Sequence, residues 1–102
     1  HDALSVPTVT ALSKAMSAAG RSRQSKIVSD VMDYHASTDS LIELGEQSNV
    51  DMVAFYHLVP VPLNTVLEDV FKRGMPDNFL LAKDLMWFDL PIDSDEIIVN
   101  GP

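Results

Sequence analysis

Six prolines and four glycines cut this chain into pieces too short for any architecture but one of brief, closely connected elements. Proline fixes φ, removes a backbone donor and biases the residue before it toward extended geometry. Residues 59–62, Val-Pro-Val-Pro, must therefore be a connector, and Pro76 and Pro91 close whatever precedes them. Gly20, Gly45, Gly74 and Gly101 stand singly near the same boundaries, so no glycine-rich loop can cradle a phosphate.

Between these marks, helical spacing dominates. Val9, Leu12, Met16 and Ala19 predict a helix over about residues 8–19, with Pro7 near its start and Gly20 at its end. Ile27, Val28, Val31, Met32 and His35 form one stripe of a second helix over about 23–35, with Ser22 placed to cap it. Ser40 and Glu43 stand at capping-box spacing for a short third helix ending near residues 45–47, with Ser37 and Thr38 as rival caps. Residues 49–61 mix a helix-like start at Asn49 and Asp51 with strand-favouring Val50, Val53, Phe55, Tyr56 and Val59, and are taken as helix. Leu63, Val66, Leu67, Val70 and Phe71 make the cleanest stripe, closed by Lys72, Arg73, Gly74 and Pro76. A sixth helix, capped by Asp77, would carry Phe79, Leu80, Leu81, Leu85, Met86, Trp87 and Phe88 and be apolar on nearly every side. Residues 97–99, Ile-Ile-Val, precede an Asn100-Gly101 turn pair with no strand left to return, so this stretch is expected to be extended.

The expected fold is thus all-α: a compact bundle of five to six short helices over residues 1–90, with an acidic, extended C-terminal segment over 91–102. At 102 residues the chain has room for one core. Its 46% hydrophobic content is ordinary for a folded domain.

Charge and residue type exclude several chemistries. Without cysteine there is no disulfide, thiolate nucleophile or cysteine-based metal site, which tilts the expected location toward the cytoplasm while leaving the compartment open. The longest apolar runs, residues 52–59 and 79–82, fall far short of the roughly 18 to 20 residues that span a bilayer. His1 stands where Met would be expected, with no secretory leader pattern behind it, which reads as a processing or tag boundary. No serine lies in a nucleophile elbow, and adjacent carboxylates such as Glu68-Asp69 point to different helix faces. His35 and His57 are the remaining ring nitrogens, and no His-x3-His pair occurs. His35 at a helix end is expected to meet the dipole or the core, and His57, among Phe55, Tyr56 and Leu58, to be a hydrogen-bonded core or rim residue. No catalytic residue, cofactor or metal site is expected on these grounds.

The net charge of −8, with no cation after Lys83, disfavours phosphate backbones and favours a basic protein partner. Arg21, Arg23 and Lys26 are the one basic cluster that could touch nucleic acid, and no aromatic residue lies beside them. The expectation is a non-enzymatic interaction module, an adaptor, inhibitor or accessory protein. It would act through Phe79, Leu81, Trp87 and Phe88 around the last helix and Ile97, Ile98 and Val99 as an added strand, with self-association a further expectation. A structural subunit of a larger assembly such as a virion, and a nucleic-acid-binding regulator, are the competing classes.

Overall fold

The computed structural model describes residues 1–102 and is a mixed α/β structure. The elements in chain order are β1 (Asp2–Leu4), α1 (Val6–Ala18), α2 (Ser22–Asp30), a 3-10 turn (Val31–Asp33), α3 (Thr38–Ser48), β2 (Val53–Val59), α4 (Thr65–Phe71), β3 (Phe79–Leu81), β4 (Trp87–Asp89) and β5 (Ile98–Asn100). Strands β1, β2 and β3 form a parallel sheet in that order, and β4 and β5 form a separate antiparallel ribbon.

The all-α expectation is overturned at two places. Residues 53–59 form the central strand of the sheet rather than a helix. A strand paired on both sides is bounded by apolar neighbours, so it reads as a continuous β-branched and aromatic run instead of an alternating one. The expected sixth helix is also absent: residues 79–81 pair with β2, and residues 87–89 pair with β5. An apolar run with no polar face is equally the mark of a buried strand, and here the free edge of β2 takes it. Between the two strands Leu85 turns in the left-handed region, φ +67°, which no helix tolerates. The tail also differs. Ile98–Asn100 has its pairing partner within the chain, upstream at Trp87–Asp89, so the strand sought after Asn100-Gly101 lies before it.

The helices themselves follow local rules. Ser5, buried, caps α1 by accepting from the Thr8 N–H, and Pro7 sits in the first turn where its missing donor costs nothing. Gly20 at φ +77° ends α1 with a paired set of bonds, Gly20 N–H to Ser17 O and Arg21 N–H to Met16 O. Helix α2 folds back along α1, and Ser13 and Ser25 donate their hydroxyls to each other's backbone carbonyls at 3.0 and 2.8 Å. Ser22 is the first helical residue, not a cap, and the helix closes in a 3-10 turn short of His35. Ser37 rather than Ser40 caps α3, and Asn64 caps α4 through the Leu67 N–H at 2.9 Å.

The core lies between the sheet and α3 and α4. Ala3, Leu41, Phe55, Phe71, Phe79 and Leu81 form one buried cluster, with Phe55 and Phe79 edge to face at 5.7 Å. Gly45 of α3 is where the helix touches β3, since a Cβ there would overlap the Phe79 ring. On α4 it is Phe71 that is sealed; Leu67 and Val70 are half-buried.

Candidate metal centre

The central strand breaks its own rhythm at one residue. Asp2 pairs with Tyr56 and Ala3 with Leu58, so His57 is left over between them as a β-bulge. Its φ is +45°, a left-handed conformation uncommon for a non-glycine residue. The bulge shifts the side-chain phase of the strand by one. Val53 and Phe55 meet the core, and beyond the bulge it is Leu58 rather than residue 57 that meets it again. His57 is thereby released from the core and re-aimed.

It meets two other groups. His35 follows the 3-10 turn, with the Tyr34 ring tilted at 47° beside it at 5.0 Å, and its ring centroid lies 5.6 Å from that of His57. Asp2 opens β1, and its Oδ2 accepts a 2.8 Å hydrogen bond from His35 Nδ1 in the tautomer that protonates that nitrogen. Ligand atoms of Asp2, His35 and His57 all lie within 4.8 Å of one another. The hydrogen bond from His35 holds the Asp2 carboxyl below the ordinary carboxylate range, against an opposing desolvation effect and with added attraction from the His35 and His57 rings. The His1 ring also approaches, with Nδ1 3.0 Å from Asp2 Oδ1.

Two imidazoles and one carboxylate are the three-ligand donor set of open zinc sites, which leave a fourth position for water. Bound donors sit about 2.0 to 2.2 Å from zinc, hence roughly 3.3 to 3.6 Å apart in a tetrahedron, so the ligand atoms, all within 4.8 Å of one another, would have to draw together on an ion. Next to the cluster an open cleft of about 580 Å³ includes His57, apolar Leu58, Val61 and Leu81, and a Glu68–Lys83 pair at 3.8 Å.

The residues singled out from the sequence are scattered differently. Phe79 and Leu81 are buried in the core, Leu81 with an edge on the cleft beside His57. Trp87 and Phe88 are exposed on β4, Ile98 and Val99 are exposed on β5, and Ile97 lies half-buried just before them. Arg21, Arg23 and Lys26 stand exposed around the start of α2, and Lys26 is engaged by Asp30 at 2.8 Å, a bond that raises its pKa. The structure thus separates the basic cluster from His35 and His57 and brings those two histidines to Asp2, a residue with no distinguishing mark in the sequence.

Comparison with protein-family models, with curated proteins and with solved structures gives no match to this chain.

Proposed function

We propose that Asp2, His35 and His57 bind one divalent metal ion of the zinc class and that the centre serves metal-assisted hydrolysis. What supports this is the convergence of three ligand atoms from separate parts of the chain, one of them carried by a bulged residue in a strained conformation. Strain concentrated at a polar cluster is a familiar property of functional sites, and a bulge is a usual device for aiming a side chain at one. The donor set suits zinc because it combines neutral imidazoles with one anionic oxygen, leaving net positive charge at the ion to lower the pKa of a bound water. Ion binding through His35 Nδ1 would replace the His35–Asp2 hydrogen bond by coordination, with the ring proton carried on Nε2. The neighbouring cleft gives a substrate room beside His57, with an apolar wall on one side and the Glu68–Lys83 pair on the other.

Calorimetric titration of the chain with zinc tests the reading, with cobalt absorption as the spectroscopic readout of coordination geometry. One ion per chain is expected, with affinity falling about a hundredfold or more in H57A, H35A and D2N, more than the loss typical of an outer-shell change. A stoichiometry or affinity indifferent to all three substitutions overturns the site. Metal-dependent cleavage of an activated ester, absent in H57A, then tests the hydrolytic role.

A further inference from the structure

Strands β2 and β3 both run toward one cleft. His57 and Leu58 lie near the carboxyl end of β2, and Leu81 is the last residue of β3, beyond which Ala82, Lys83 and Asp84 continue the lining. Val61 and Pro62 of the connector and Glu68 of α4 complete it. The crevice outside the carboxyl ends of parallel strands is where open α/β sheets take up ligands. Backbone strain borders this one at two points: His57 has φ +45°, and Leu85, which follows Asp84, has φ +67°.

At about 580 Å³ the cleft is of a size that suits a small molecule. Leu58, Val61, Pro62 and Leu81 give it an apolar wall. Val61 is 68% exposed, so a ligand seated there would cover apolar surface that the chain leaves in water.

Charge narrows the choice of ligand. Lys83 is the one lysine or arginine in the lining. Its Nζ stands 3.8 Å from Glu68 Oε1, beyond hydrogen-bond length. Glu68 has a second counter-ion outside the lining, Lys72, at 3.9 Å from its other oxygen. The three donors of the Lys83 ammonium are therefore free to meet an anionic ligand, and Glu68 keeps Lys72 when they do. A carboxylate would close on them to about 2.8 Å in a charge-assisted hydrogen bond. Glu68 and Asp84 in the same lining, together with the net charge of −8, repel a second negative charge. That favours a single carboxylate over a phosphate dianion or a polyanion.

We infer that this cleft binds a small monocarboxylate with an apolar body, the carboxylate on Lys83 and the body against Leu58, Val61, Pro62 and Leu81. His57 lines the same cleft, so the inference deepens the hydrolytic reading and rests on it for the fate of the ligand alone. The substrate is then an amide between an acyl group and an apolar amino acid whose free carboxylate takes Lys83. Water adds its hydroxyl to the acyl carbon and its proton to the leaving nitrogen as the C–N bond breaks.

N-acetyl-leucine is the probe, titrated into the metal-free chain and followed by the amide resonances of Leu58 and Leu81. N-acetyl-leucinamide, acetate and leucinamide are titrated alongside. N-acetyl-leucine is expected to bind about tenfold more tightly than the neutral N-acetyl-leucinamide, the worth of one charge-assisted hydrogen bond. Lys83→Met should abolish that preference with the circular dichroism spectrum unchanged, whereas Lys72→Met, which removes the same charge outside the lining, should leave most of it. Equal binding of acid and amide, a preference that survives Lys83→Met, or an equal loss in Lys72→Met overturns the inference. So does acetate binding as tightly as N-acetyl-leucine, or leucinamide, the cation, binding more tightly than either. Zinc titration separates this result from the metal reading. N-acetyl-leucine binding to a chain that takes up no zinc removes the hydrolytic reading and leaves the carboxylate site, and zinc uptake by a chain indifferent to N-acetyl-leucine does the reverse.

Discussion

The two faces of β2 are built from the same seven residues and could hardly differ more. On one, Phe55 is completely buried among Leu41, Phe71 and Phe79 from three other elements. On the other, Ala54 and Tyr56 look onto an open groove and solvent. Leu41 of α3 and Phe71 of α4 close the layer over Phe55. The difference teaches that burial along β2 is concentrated on the side of Phe55, while the side of Tyr56 stays open to solvent.

That asymmetry can be broken most sharply at its centre. Phe55→Ala should cost about 3 to 5 kcal/mol, from lost transfer energy plus a cavity, measured by urea unfolding. A cost under roughly 1 kcal/mol would mean that the sealed face is not the centre of the fold. Next in size is Gly45→Ala, which in an isolated helix would gain about 1 kcal/mol. Here it should destabilise by about 1 to 3 kcal/mol, because the added methyl enters the Phe79 ring. Stabilisation by this substitution would show that α3 does not press on β3. The smallest effect is expected on the open side, where Leu90→Ser, at a residue 70% exposed, should change stability by no more than about 0.5 kcal/mol. A loss comparable with that at Phe55 would erase the distinction between the faces.

The part of this fold legible in the sequence is the part governed by short-range rules. Helices α1, α3 and α4 follow from stripes closed by Pro7, Gly20, Ser37 and Pro76, all of which act through their immediate neighbours. Strands β2 and β3 were harder to see because both are apolar runs, a pattern that buried helices and buried parallel strands share. Pairing decides between them, and pairing of residue 53 with residue 79 is invisible in either segment alone. The Ile-Ile-Val run at the end is read correctly as extended, but its partner lies upstream, beyond an eight-residue connection, where an Asn-Gly turn pair draws attention the wrong way. The candidate metal centre was less legible still. His35 and His57 each have an ordinary local explanation, and Asp2 has no local peculiarity at all. One signal was present: His57 is the sole imidazole in the run of residues 52–63, otherwise apolar apart from the Tyr56 hydroxyl.

The bulge at residue 57 separates two properties that are usually entangled. Because the strand resumes contact with the core at Leu58, the side chain at 57 is not needed by the packing, and its backbone conformation is one that glycine adopts freely. His57→Gly should therefore leave thermal stability nearly where it was, within about 1 kcal/mol, while removing a ligand from the Asp2–His35 pair. The architecture has in effect a vacant post at this position, one where the identity of the side chain can be rewritten for chemistry without the scaffold being consulted.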